Sequence, residues 1–329
     1  MPVIPMTLSR QLKDTVESHI QSLKFDDMQP ANLYEPMAYI LSMKGKRIRP
    51  ILTMLAYHSV SGRSPEEAID LASAVELFHN FTLMHDDIMD RAPMRRGMPT
   101  VHIKWNSDVA ILSGDALFAF SMILVVKEFP TLAAPLAKEF SQVAMEVCEG
   151  QMEDMDLAQL DTVTIPAYLE MIRKKTAALL GGCMSLGAQA AGATPELVAQ
   201  YKAYGEALGI AFQLQDDLMD AFPPEGFGKQ VGGDIIENKK TYLLLRAKEL
   251  ATPEQLAVLN EWIGKDDFDP QEKVEAVLNI FRQTQIESHT QALIKDYFDK
   301  AIELGDQLSS QVNFSPVRSY LQEIAKRQV

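Results

Sequence analysis

Four segments of this chain repeat one helix-start grammar, and no run alternates apolar and polar residues as a half-buried strand does. Ser64-Pro65-Glu66-Glu67 offers an N-cap serine, a proline at the first helical position and a glutamate placed for a capping box. Thr194-Pro195-Glu196, Thr252-Pro253-Glu254-Gln255 and Asp269-Pro270-Gln271-Glu272 follow the same rule. Apolar residues recur at helical spacing, as Leu8, Leu12, Val16, Ile20 and Leu23 do over residues 7–25. Glycines fall in the connections (Gly45, Gly62, Gly97, Gly192, Gly264). The expectation is an all-α fold of about a dozen helices with little or no sheet. With 47% hydrophobic residues in a chain of 329, a large core is available. No low-complexity linker divides it, which favours one helical domain over residues 1–329.

Two of the helices carry the same acidic pattern inside apolar surroundings: Asp86-Asp87-Ile88-Met89-Asp90 and Asp216-Asp217-Leu218-Met219-Asp220. Residues four apart on a helix share a face, so Asp86 and Asp90 stand together, as do Asp216 and Asp220. Like charges so placed repel, and a cation must offset them. Carboxylates without thiolates or a histidine cluster suit a hard divalent ion such as Mg²⁺. Magnesium keeps waters and is commonly completed by phosphate oxygens, so a phosphate ester is the expected substrate. Two solvated acidic patches would be the plain alternative.

The net charge of −14 argues against nucleic acid or an anionic membrane surface as the main partner, and makes local clusters of cations informative. Cys148 and Cys183 are the only cysteines, in apolar contexts, and fit a reducing cytoplasm. Residues 1–10 lack the pattern of a signal peptide, and no uncharged apolar stretch approaches a membrane span.

The basic clusters lie near the acidic ones in sequence. Lys46, Arg47 and Arg49 crowd a glycine-containing turn that opens a helix at Pro50, a seat for a diphosphate or an ordinary basic turn. Residues 65–90 read as one long, mostly buried helix, on which His79 lies two turns before Asp86 on nearly the same face. After the first motif, Arg91 to His102 is a loop whose Arg95-Arg96 pair brings two guanidinium forks close to the carboxylates. Residues 107–155 read as two helices, the second with an acidic end, solvated or polar-facing (Gln151, Glu153, Asp154, Asp156). Arg173-Lys174-Lys175-Thr176 puts further cations on a helix, and Gly226 to Asp234 is a glycine-rich lysine loop that lacks the spacing of a P-loop.

Taken together, GKRIRP at 45–50, DDIMD followed by RRGMPTVH, Lys175-Thr176, FQLQDDLMD and GKQVGGDIIENKKT resemble the trans-isoprenyl (polyprenyl) diphosphate synthases. The resemblance runs from about Gly45 to Thr241 through five ordered motifs, a far more specific signal than one DDxxD. It implies an all-α bundle of antiparallel helices around a deep central cavity, the isoprenoid synthase fold, usually as a homodimer. It implies Asp86, Asp90 and Asp216 as the main ligands of Mg²⁺, three ions per active site, with Asp87, Asp217 and Asp220 in support. Arg95, Lys175, Lys229 and Lys239, with Gln213 and Thr176, would take the allylic diphosphate. Lys46, Arg49, His79 and Arg96 would take isopentenyl diphosphate.

The implied reaction ionises the allylic diphosphate, joins the cation to the double bond of isopentenyl diphosphate and removes a proton. Fixed positive charge in a dry cleft stabilises the departing diphosphate, and an apolar cavity protects the cation from water. Product length would be set below Asp86, where Phe81 and Thr82 lie roughly 6–8 Å along the helix, with Phe78 a further turn down. A bulky residue at 81 without an insertion in the motif resembles the short-chain type, implying geranylgeranyl diphosphate, then farnesyl diphosphate. A class I terpene cyclase would carry a different second motif and lack the GKRIRP segment. A non-catalytic synthase subunit would have broken aspartates or arginines.

Overall fold

The computed structural model describes residues 8–223 and 231–326, with side chains to residue 324. As expected, the protein is all-α. The first helices are α1 (Leu8–Ser22), α2 (Ala31–Ser42), α3 (Ile48–Ser61), α4 (Ile69–Met89), the short α5 (Val101–Lys104) and α6 (Ser107–Lys127). They are followed by α7 (Ala133–Gln159), α8 (Ile165–Ile172), α9 (Ala178–Ala190) and α10 (Pro195–Ala221). The last are α11 (Gly233–Ile236), α12 (Tyr242–Leu250), α13 (Pro253–Ile263), α14 (Pro270–Gln283), α15 (Ile286–Ser309) and α16 (Ser315–Lys326). Among the described residues the only strands are β1 (Met94–Arg95) and β2 (Met98–Pro99), paired as a small antiparallel ribbon.

The chain divides into two compact units. One comprises residues 1–141, 182–201 and 308–324; the other comprises 142–181, 202–307 and 325–329. In the first, α4 packs chiefly along α6. Almost every face of α4 is covered, with Leu71, Ala72, Val75, Leu77, Phe78 and Met84 buried, which is why its sequence is apolar nearly all round. Gly114 lets α6 approach closely: a Cβ there would lie 2.4 Å from Nε2 of His85. α1 buries one stripe, Ser9, Leu12, Val16 and Ile20, as an amphipathic surface helix should. The second unit has its own core, in which Tyr168, Met171, Leu214, Leu218, Leu243, Val277 and Phe281 meet.

Several local expectations need correction. The Ser64 start does not form a capping box; Ser64 bonds the side chain of Glu66, and residues 65–68 make a turn of 3₁₀-helix before α4 begins at Ile69. The box does form at Thr252 with Gln255, and Asp269 caps α14 by accepting from Gln271 and Glu272. α3 begins at Ile48, two residues before Pro50, because Arg47 takes a left-handed φ of 53° and turns the chain there. α6 carries Asp108, Asp115 and Lys127, yet by length and composition it is apolar enough to cross a membrane; 39% of its most apolar window is buried.

Candidate active site

The first unit holds one set of candidate residues. Asp87, at the end of α4, is 1% exposed, and its two oxygens accept from Nε of Arg95 at 2.9 Å each, with Nη2 2.8 Å from Oδ1. Burial raises the pKa of this carboxyl, and the arginine works against that rise. Asp86 stands 4.0 Å from Nη2 of Arg95 and is half-buried, while Asp90 is exposed. The motif is thus graded: Asp87 is buried and holds Arg95, Asp86 is half-buried and Asp90 is exposed.

The ribbon explains how adjacent arginines serve different places. Arg96 and Gly97 both have positive φ (53° and 77°), the backbone of a two-residue hairpin turn that matches strand twist. Arg95 therefore points to the carboxylates, but Arg96 does not join it there. Its Nη1 donates to the Met43 carbonyl at 3.4 Å and packs over Gly45, where a Cβ would lie 2.9 Å away. Nη1 of Arg49 donates to Nε2 of His79 at 3.2 Å, so His79 is a neutral acceptor here. Burial, then the charges of Arg49, Arg96, Arg95 and Arg47, holds its pKa well below the usual value. Arg49, His79 and Arg96 are brought together, and Lys46 is exposed on the same turn. Arg47 is not a free cation of that turn. It is buried, paired with Glu76 at 2.6 Å and bonded to the carbonyls of Leu41 and Met43, because a buried guanidinium needs its charge and donors satisfied.

Below Asp86 lies an aromatic stack. Phe81 on α4 packs on Phe118 of α6 with ring centroids 5.4 Å apart, and Phe78 meets Phe118 at 5.7 Å and Phe140 at 5.3 Å. Phe78 is fully buried, whereas Phe81 and Thr82 are partly exposed. Phe118 gave no signal of this kind in the sequence.

The second unit holds the other set. Asp216 is exposed, while Asp217 is buried and Asp220 half-buried. Oδ1 of Asp217 accepts from Nε2 of Gln213 at 2.9 Å, and Oδ2 accepts from the hydroxyl of Tyr168. Burial pushes this carboxyl up to about 7 despite those bonds. Thr176 donates to Oε1 of Gln213 at 3.0 Å, so Thr176, Gln213, Asp217 and Tyr168 form one relay. Asp220 accepts the backbone N–H groups of Gly233 and Asp234 at 3.1 and 3.0 Å and so caps α11.

Residues 173–177 are not ordinary α-helix but a π-helical turn joining α8 to α9. Wide turns of this kind are common at functional sites. Backbone of α7 presses against it: a Cβ on Gly150 would lie 2.2 Å from the Lys175 nitrogen. The acidic end of α7 faces polar partners: Asp154 pairs with Lys175 at 2.6 Å and Glu149 with Lys174 at 3.1 Å. Lys239 pairs with Asp234 and Glu237, both at 3.2 Å. Burial opposes its charge, but those carboxylates outweigh it and hold its pKa raised. Lys229 lies outside the described residues. Sequence reading missed Tyr168 and the pairing of Asp154 with Lys175, since each arises only through tertiary contact.

Asp86, Asp90 and Asp216 are all-oxygen donors, which fits a hard divalent cation. Among the described residues no three His, Cys, Asp or Glu side chains stand together as a complete metal cage. Each motif would supply part of a shell, as carboxylates usually do for magnesium, with phosphate oxygens and water making up the rest.

All-helical architecture, paired DDxxD motifs and flanking cations define the class: an isoprenoid-type synthase. Residues 30–281 match the polyprenyl synthetase family model. Geranylgeranyl diphosphate synthase of Methanosarcina mazei is 40% identical over 251 residues, 74% of this chain and 76% of that protein. A crystal structure of a geranylgeranyl pyrophosphate synthase superposes with a TM-score of 0.87 at 42% identity, covering 92% of this chain and 94% of the other. A polyprenyl synthase of Caulobacter crescentus CB15, complexed with calcium and isoprenyl diphosphate, superposes with a TM-score of 0.80 at 28% identity over 93% of each chain. The chain belongs to the polyprenyl synthetase family and has the all-α isoprenoid synthase fold.

Proposed function

We propose that this protein condenses isopentenyl diphosphate head-to-tail with an allylic diphosphate primer of C5 to C15 and releases geranylgeranyl diphosphate. The observation that carries the reading is the division of labour within each aspartate motif. Asp90 and Asp216 are exposed and Asp86 is half-buried, while Asp87 and Asp217 are buried and hold Arg95 and Gln213. Mg²⁺ held by Asp86, Asp90 and Asp216, three ions per site, would neutralise the diphosphate as it leaves.

The residues of the chain then take separate roles. Arg95, Lys175, Lys229 and Lys239 bind the allylic diphosphate, with Thr176 and Gln213 fixing its position. Lys46, Arg49, His79 and Arg96 bind isopentenyl diphosphate, for which a neutral His79 serves as a hydrogen-bonding rather than a charged partner. Phe81, backed by Phe118, ends the channel for the growing chain, and similarity to geranylgeranyl synthases supports the C20 assignment. Both units act as one catalytic domain over residues 1–329. A cytoplasmic homodimer is the proposed working form, supported by two free cysteines and by exposed Ile111, Leu112 and Ile123 on α6. No nucleic acid or membrane insertion enters this reading.

The test is product analysis after incubation with isopentenyl diphosphate, each allylic primer and Mg²⁺. Geranylgeranyl diphosphate as the end product is expected. Products ending at C15, cyclised terpenes or no elongation would each overturn the assignment.

A further inference from the structure

Lys273 on α14 is 1% exposed. Fully burying an ammonium costs several kcal/mol unless its donors are met, and an apolar residue of similar volume commonly packs at least as well. Here the donors are met by neutral groups: the Ile236 carbonyl at 3.1 Å, Oδ1 of Asn238 at 2.7 Å and the face of Phe268, whose centroid is 4.1 Å away. Burial lowers the pKa of this lysine.

What those groups have in common is position. Ile236 is the last residue of α11, and Asn238, in a left-handed turn with φ 57°, immediately precedes Lys239. Asn238 also donates to the Ile263 carbonyl at 3.2 Å, pinning the turn to the end of α13. A four-residue helix cannot hold itself together in isolation. Asp220 accepts the N–H groups of Gly233 and Asp234 at one end of α11, and Lys273 meets the Ile236 carbonyl at the other. Asp217, Asp220, Asp234, Lys239 and Lys273 all line one small cavity.

We infer that Lys273 is a positioning residue: by gripping both the end of α11 and Asn238, it sets the Lys239 ammonium beside the second aspartate motif. The inference rests on the reading of Lys239 as an allylic-diphosphate cation.

The test compares the full-length wild type, Lys273→Met, Lys273→Gln, Lys239→Ala and the double variant Lys273→Met/Lys239→Ala. Lys273→Met is expected to raise KM for the allylic primer about tenfold, as loss of charge-assisted hydrogen bonds does, and to leave KM for isopentenyl diphosphate unchanged. Lys273→Gln, which keeps an N–H donor, should recover part of the loss. The double variant should be no worse than Lys239→Ala alone, because both changes remove one interaction. Amide exchange at residues 233–239 should speed up in Lys273→Met while the melting temperature holds. Wild-type kinetics in Lys273→Met, effects that add fully to Lys239→Ala, or unchanged exchange at 233–239 would overturn the inference. If Lys273→Met fails to fold, the glutamine variant carries the same kinetic and exchange comparisons, with a smaller tenfold-or-less shift expected. A wild type that elongates no primer would instead overturn the functional reading, while the exchange measurement would still decide the role of Lys273.

Discussion

Arg95 lays the edge of its guanidinium along both oxygens of Asp87, a carboxylate that is 1% exposed at the end of α4. The middle residue of the first acidic motif therefore orients an arginine, and a fork-shaped cation is needed for that contact. Asp87→Asn should lower kcat/KM by about 10- to 100-fold, the worth of hydrogen bonds to a charged group, with helix content retained. Arg95→Lys should show a comparable loss, since lysine has no fork. Steady-state kinetics alongside circular dichroism checks both, and wild-type kcat/KM in Asp87→Asn would count against this role.

Gly150 is where α7 and the π-helical turn touch backbone to backbone. Adding a methyl must move the main chain of Lys174 and Lys175, because no flexible side chain is there to yield. Gly150→Ala should destabilise by about 1–3 kcal/mol through overpacking and should raise KM for the allylic substrate more than for isopentenyl diphosphate. Thermal melts and two-substrate kinetics measure these separately; equal changes in both KM values would contradict the assignment.

The aromatic stack separates length control from core packing. Phe81→Ala and Phe118→Ala should both extend products beyond C20, as each removes one member of the 5.4 Å pair. Phe78→Ala should chiefly destabilise, by about 3–5 kcal/mol, since its ring is buried against Phe118 and Phe140. Chromatography of the dephosphorylated products and denaturant melts distinguish the two effects.

Glu128, just past the end of α6, accepts from the Leu71 nitrogen at 3.1 Å near the start of α4. Burial pushes its carboxyl from 4.5 up to about 7, against those backbone bonds. The folded protein thus holds this proton to higher pH than the unfolded chain does. Its contribution to stability is complete below about pH 4.5 and is lost as pH rises through about 7. Glu128→Gln, an analogue of the protonated form, should melt with the wild type at about pH 4 and above it at about pH 8. A constant difference across that range would contradict the shift.

Local patterns carried the helices and both acidic motifs because helical period, caps and DDxxD spacing are written within a few residues. The failures occur where tertiary contacts decide. Ser64 lost its box to a 3₁₀ turn, and Arg47 left the basic cluster because Glu76, distant in sequence, neutralises it in the core. Arg95 and Arg96 look equivalent in the sequence, yet a turn with two positive-φ residues sends them apart. Tyr168, Asp154, Phe118 and Lys273 have no signature of their own, since each matters through a partner distant in sequence.

The most direct measurement is incorporation of labelled isopentenyl diphosphate by the purified protein with an allylic diphosphate primer, with and without a divalent-metal chelator. Label should appear in a C20 prenyl diphosphate, stop with the chelator and return when Mg²⁺ is restored. Label that remains in the five-carbon unit with Mg²⁺ present, or elongation that the chelator leaves untouched, would contradict a metal-assisted prenyl transfer carried by the two aspartate motifs.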